Sequence, residues 1–309
     1  MNIRRIFQLF ILAAVTLAAA SSCGGGGEDF NLAPGTGSGS GSGTESNSTP
    51  NLGSIKAIKS RLEMPEMLDG NTFICHRLKL GKDSVINYCV EYDQKLHHSR
   101  WVAFRFDKAL AERSTGRKDY NEKPQYPKDP DCTSSLPDDA SFRGYDHGHL
   151  CASADRLCSE EANRQTFYMT NMSPQFKAFN QDYWTAYENY VQNIARRSNF
   201  ADTLYVVKGG TILPDQRLGT ISTSGCTVPV PDHYFIAMLK LKNGTYSAIG
   251  LWVEHEEDPR GSGSKEDIRN HAMSIDDLEK KTGINFFHNL PDNIEDVIEA
   301  SYQTNTWEL

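Results

Sequence analysis

No two cysteines of this 309-residue chain form a Cys-x-x-Cys pair, and no two histidines form a His-x-x-x-His pair. A zinc site normally draws three or four such ligands at ordered spacings, so the usual zinc motifs are not completed here. The chain also lacks an excess of positive charge. Its 32 Lys and Arg stand against 40 Asp and Glu, a net charge of −8. A surface that is basic all over is excluded, but a local basic groove is not, because distribution decides steering. The one long apolar stretch, Ile6 to Ala20, is too short to be taken as a membrane-spanning helix. No internal repeat is seen.

That stretch has the pattern of a signal peptide. Arg4 and Arg5 precede it, and the small residues Ala20-Ser21-Ser22 lead into Cys23, which resembles a bacterial lipobox. Residues 1–22 are therefore read as a lipoprotein signal peptide, cut before a lipidated Cys23. An ordinary secretory signal cut nearby is the alternative. Residues 23–58, dominated by Gly and Ser, are read as a flexible tether. Thirty residues of such chain span roughly 30 Å root-mean-square. The expectation is a protein of the cell envelope, an outer-membrane lipoprotein facing the periplasm or the exterior. Losing Arg4 and Arg5 takes the charge from −8 to −10.

Residues 59–309 fit one sizeable domain. Besides Cys23 it holds Cys75, Cys89, Cys132, Cys151, Cys158 and Cys226. Six cysteines allow fifteen pairings. One has a local argument: strands Phe73–Leu80 and Val85–Val90 flank Gly81-Lys82-Asp83, and a three-residue loop centred on Lys82 sets Cys75 opposite Cys89. A disulfide between them is expected, consistent with an oxidising compartment.

Further strands are read at Trp101–Phe106, Thr203–Lys208, Tyr234–Leu241 and Ser247–Val253. Residues 119–137, rich in Pro and Asp, read as a long loop of the kind that frames sites. Ser274 with Asp277 marks the start of a helix that Gly283 closes, and a last helix is expected over Asp292–Ala300.

The chemistry-bearing residues cluster in two stretches. Asp182 to Ser198 reads as an amphipathic helix with Trp184, Tyr187, Val191, Ile194 and Ala195 on its apolar face. Glu188 falls on or beside that face, where a carboxylate is rarely buried unless paired or bound. It is either a salt-bridged or edge position, or a carboxylate aimed into a site. Asn180 is eight residues earlier, about two turns. It is either an N-cap or a hard oxygen ligand suited to Mg²⁺. In Asp146-His147-Gly148-His149-Leu150, a neutral imidazole is the usual general base near pH 7.

Asp146-His147-Gly148-His149, with Asp155 six residues after His149, resembles the Asp-Arg-Gly-His signature of the DNA/RNA non-specific endonucleases. That family includes secreted bacterial nucleases and mitochondrial endonuclease G. Asn171-Met172-Ser173-Pro174-Gln175, Asn180-Gln181, Trp184 and Glu188 resemble its second block, and Thr282–Phe287 its C-terminal one. The likeness runs from Tyr92 to Phe287. It implies an α+β fold of the ββα-metal (His-Me finger) class, with a mainly antiparallel central sheet flanked by helices. By the same resemblance His149 would be the general base. Asn180 would be the direct ligand of one Mg²⁺, with Mn²⁺ a possible substitute, and Glu188 would orient water on that ion. Asp146 and Asp155 would brace the site. Arg117 falls where the family places a phosphate-contacting Arg, and Arg143 and Arg156 are further candidates; each of the three is either a phosphate contact or a solvated surface charge. The substrates would be DNA and RNA, cut to 5′-phosphate products. The chain departs from the pattern at His147, where the family usually has Arg, and at Ala152, where it usually has Pro. Two other functions stay open: a nucleic-acid-binding lipoprotein weakened in turnover at His147, and a phosphodiesterase for small nucleotides.

Overall fold

The structure is a computed structural model that describes residues 54–309 apart from 119, 120, 140, 141 and 224. The signal peptide, Cys23 and most of the tether lie outside the described residues.

In chain order the elements are α1 (Ile55–Lys59), β1 (Thr72–Leu80), β2 (Asp83–Asp93), β3 (His98–Phe106), β4 (Asp146–His149), α2 (Glu160–Gln165), β5 (Met172–Gln175), α3 (Trp184–Ala195), β6 (Thr203–Gly210), β7 (Arg217–Thr223), β8 (Cys226–Pro231), β9 (His233–Lys242), β10 (Thr245–Glu254), α4 (Lys265–Asn270), β11 (Ala272–Met273), α5 (Ile275–Thr282) and α6 (Asp292–Glu299). The central sheet is ordered β1-β2-β3-β6-β9-β10-β11, and its pairings are antiparallel. The chain is α+β with a mainly antiparallel central sheet, as expected.

Both faces of the sheet are covered, which is why β3, β6 and β9 read as nearly unbroken apolar runs. Alternate side chains go to opposite faces. Val102, Phe104, Val206, Ile236 and Met238 pack with Trp184, Tyr187, Val191 and Ile194 of α3. Trp101, Ala103, Val207, Phe235 and Ala237 pack with Ile275 and Leu278 of α5 and with Phe286 and Phe287. Each large apolar side chain buried in this way contributes roughly 1.5–3 kcal/mol. Ile58 of α1, in the stretch read as tether, is buried in the second layer.

The β1–β2 hairpin differs from the expectation in its loop but reaches the same pairing. The turn is two residues long, Leu80 facing Asp83, with Gly81 at φ +62°. A bulge at Asn87 then restores the register, so Cys75 does face Cys89. The bulge is fixed from behind, because the buried Asn87 amide donates to Ala162 O and Gln165 Oε1, both at 2.9 Å. Contrary to the disulfide expected, both sulfurs are free thiols. The β7–β8 hairpin and helices α1, α2 and α4 had no counterpart in the sequence reading. The capping of α5 did: the Ser274 hydroxyl accepts from Asp277 N, and Gly283 closes the helix at φ +64°.

Candidate active site

The site is built on a two-stranded ribbon and the helix that follows it. β4 pairs antiparallel with β5, setting Asp146 opposite Gln175 and His149 opposite Met172. The close pairing needs glycine at 148: a Cβ there would meet the Gln175 side chain at 2.1 Å. The chain then turns into a π-helical segment, Phe179–Tyr183, continuous with α3. Asn180 lies inside this segment and donates its backbone N–H to Phe176 O, so it is not the N-cap considered from sequence. A π-turn widens the helix and re-aims its side chains, a device common at functional sites. Here the Asn180 carbonyl is taken by the Thr185 hydroxyl at 2.8 Å.

A cleft of about 680 Å³ opens over this unit. Asp146, His147, His149, Asn180, Glu188 and Arg117 all line it. Asp146 Oδ2 accepts from Asn180 Nδ2 and from Gln181 Nε2, each at 2.9 Å. Those bonds hold the Asn180 amide nitrogen against Asp146 and leave its side-chain oxygen for another partner.

His149 is 7% exposed, and its Nε2 is buried with no hydrogen-bond partner. Its ring stands edge-on to Phe167, centroids 4.9 Å apart. Burial, with Arg117, His147 and Lys208 adding to it, holds its pKa well below the usual imidazole value. The ring is therefore neutral at pH 7 and can accept a proton.

His147 is clamped between two aromatic rings. Tyr126 lies on one side with centroids 4.2 Å apart and planes 8° from parallel, and Phe142 stacks at 4.6 Å and 22°. Burial lowers its pKa, against the opposing pull of Asp139 and Asp146. His147 is thus mainly neutral, in contrast to an arginine.

Glu188 is half-buried on the cleft floor, one turn after Trp184. Burial pushes its pKa up to about 7, with Lys208 and Arg117 pulling it down and Asp155 pushing it up. Beneath it lies a wholly buried pair: Lys208 Nζ bonds Asp155 Oδ2 at 2.8 Å. The Asp155 carboxylate also accepts from Gln192 Nε2 at 3.0 Å and from Ala152 N at 3.0 Å.

The sequence matches the DNA/RNA non-specific endonuclease family over residues 70–293. The chain belongs to that family. As a nuclease it is a hydrolase acting on phosphodiester bonds. It is similar to a nuclease of Nostoc sp. (29% identity, covering 76% of this chain and 84% of the relative). It is also similar to nuclease C1 of Cunninghamella echinulata (26% identity, 66% and 81%). Mitochondrial nuclease EXOG of Mus musculus matches at 29% identity over 66% of this chain, but over only 56% of its own length. In fold, the nuclease resembles a chain in the crystal structure of the EndoG/EndoGI complex, with TM-score 0.55 and 18% identity over 72% of this chain and 89% of that one.

Two of the arginines proposed from sequence are not brought to the nuclease's cleft. Arg143 is exposed and does not line it, because the turn that closes Tyr145 N onto Phe142 O sends Phe142 inward and Arg143 out. Arg156 is fully buried: its guanidinium sits 4.4 Å from the Phe104 ring centroid and donates to Arg105 O. Arg117 reaches in from the rim, 5.7 Å from the Phe167 ring.

Sequence reasoning did not find Tyr126, Phe142, Lys208 or Gln192. Only Lys208 left a signal, a lone charge ending the apolar run of β6. The cluster of His76, Asp129 and Asp131 is a further group that could attract a cation. Its ring nitrogens are already taken, Nε2 by Asp129 at 3.0 Å and Nδ1 by Asp131 at 3.5 Å. Burial alone would lower the His76 pKa, but the two carboxylates outweigh it and raise it to about 9. In the structure the three side chains form an ion-paired staple between β1 and the 121–137 loop.

Proposed function

We propose that this family member is a divalent-cation-dependent endonuclease for DNA and RNA in which His149 is the general base. The observation that carries this reading is the unpartnered, buried His149 Nε2 on the wall of a cleft it shares with Asn180 and Glu188. The donor set suits a hard cation: an amide oxygen turned away from Asp146 and the Glu188 carboxylate, in a cleft lined, among the described residues, by no Cys or Met. Asn180 would hold Mg²⁺, or Mn²⁺ in its place, and Glu188 would serve its water shell. When bound, the ion would supply Lewis-acid stabilisation of the phosphate and of the leaving 3′ oxygen.

The chain's own groups do the rest. Neutral His149 takes a proton from the attacking water. Asp146 and Asp155 orient their neighbours without reacting. Arg117 meets a phosphate oxygen, a contact that positions without reading sequence. Loss of the 3′ oxygen as leaving group gives 5′-phosphate ends. The lipid anchor at Cys23 and the envelope location, at an outer membrane, belong to the same proposal and rest on residues 1–23 alone.

The test is cleavage of plasmid DNA and of RNA by the full chain with Mg²⁺, with Mn²⁺ and with chelator, beside His149→Ala. Removing a general base costs about 10²- to 10⁴-fold. Metal-dependent cleavage that falls by that much supports the reading. Cleavage that survives the substitution rejects His149 as the base.

A further inference from the structure

On the other face of the sheet from the cleft, three carboxylates converge. One oxygen each of Asp276, Glu279 and Glu299 lies within 4.8 Å of the others. Asp276 and Glu279 are three residues apart and so share one face of α5. Glu299, the last residue of α6, comes against that face.

The cluster is not explained by the helices. An acidic residue in the first turn of α5 suits the helix dipole, which accounts for Asp276. Glu279 Oε1 accepts from Phe286 N at 2.7 Å. Nothing of that kind accounts for Glu299. It is only 4% exposed, and its Oε1 is buried with no hydrogen-bond partner. The charged groups that bear on it, Glu279, Glu295, Asp276 and Asp296, are all acidic. The lysines of α5 are engaged elsewhere: Lys280 Nζ pairs with Asp277 Oδ1 at 2.9 Å, and Lys281 Nζ lies over the Trp252 ring.

A buried, unpartnered carboxylate among like charges is costly unless a cation or a proton compensates it. Three carboxylates without nitrogen or sulfur donors select a hard cation over a transition metal. Ca²⁺ accepts six to eight oxygens in irregular geometry, whereas Mg²⁺ demands a near-ideal octahedron. We propose that Asp276, Glu279 and Glu299 form a Ca²⁺-binding site that clamps α6 onto α5, separate from the catalytic cleft.

The test is thermal unfolding of the full chain, stripped of divalent ions and titrated with Ca²⁺. At about a hundredfold excess over the dissociation constant the Tm should rise by roughly 5–10 °C. The rise should persist in Asn180→Ala and be lost in Glu299→Gln. Asp276→Asn, at a half-buried position, serves the same purpose should Glu299→Gln not fold. A rise lost in Asn180→Ala and kept in the α5 and α6 variants would put the ion in the cleft and overturn the proposal. No rise in the wild type would overturn it as well, and Glu299→Gln neutral or stabilising would then leave a shared proton as what holds the cluster.

Discussion

Tyr126 lies flat against His147, rings 4.2 Å apart and 8° from parallel, so a loop residue covers one face of the side chain that stands where the sequence resemblance leads one to expect arginine. Phe142 covers the other face. A planar guanidinium fits the same slot and adds a permanent charge that the neutral imidazole does not carry. His147→Arg should therefore raise kcat/KM for DNA by about threefold to tenfold, up to 1.4 kcal/mol of transition-state stabilisation. Tyr126→Ala removes one wall of the stack and should lower kcat/KM. Steady-state cleavage of one oligonucleotide by both variants checks the pair. A fall in His147→Arg would mean that the slot is built for imidazole.

Lys208 and Asp155 are the most deeply buried ion pair of the site, both side chains fully enclosed. Removing one partner of such a pair leaves an uncompensated charge and costs about 3–5 kcal/mol. Lys208→Met should lower Tm by roughly 6–20 °C. Replacing both, as Lys208→Met with Asp155→Leu, should cost less than the sum of the single changes, apart from the lost bonds to Gln192 and Ala152 N. Urea unfolding of the three variants measures the coupling, and strict additivity would mean that the pair contributes nothing as a pair.

His76 gives the fold an alkaline limit. Its pKa is about 9 in the folded chain, above the ordinary 6.5. A group raised on folding contributes fully below its unfolded pKa and loses that contribution as pH rises through the folded value. A shift from 6.5 to about 9 corresponds to about 3 kcal/mol. The stability gap between wild type and His76→Gln should be widest near pH 6 and should narrow by about that amount by about pH 10. His98 and His255, both lowered to about 4 by burial, work in the opposite sense and weaken the fold as pH falls from 6.5 through 4. Tm measured against pH separates the two limbs. A gap that stays constant from neutral to alkaline pH would show that His76 is not the cation of this staple.

What could be read in the sequence follows from how far each signal reaches along the chain. The β4–β5 ribbon, the π-segment and α3 hold their polar residues at fixed local spacings, so the family resemblance could name Asp146, His149, Asn180 and Glu188 together, where the residues alone left Asn180 and Glu188 open. The Cys75–Cys89 register was found through two errors that cancel, a loop one residue too long and an unseen bulge at Asn87. The π-segment around Asn180 leaves no compositional trace. Tyr126 meets His147 only because the 121–137 segment folds back and is pinned by His76, a contact no local pattern encodes. For Arg143 and Arg156 the sequence could not choose between phosphate contact and another role, because positive charge in sequence carries no direction. One faces solvent and the other is stacked on Phe104.

Asp146 offers the sharpest separation between binding and chemistry. Its Oδ2 holds the Asn180 and Gln181 amides, so it would act on the proposed cation site through Asn180. With Asp146→Asn the acceptor is weaker, and the Asn180 amide is free to present nitrogen in place of oxygen. Groups that orient a metal ligand in this way typically change metal affinity or activity by about 10–100-fold. The Mg²⁺ concentration for half-maximal cleavage should rise by a factor in that range, and the rate at saturating Mg²⁺ should change little. His149→Ala should do the reverse, losing rate at every metal concentration. The two variants titrated side by side give this contrast directly. A loss of rate in Asp146→Asn that no amount of Mg²⁺ restores would assign the carboxylate a role in the chemical step.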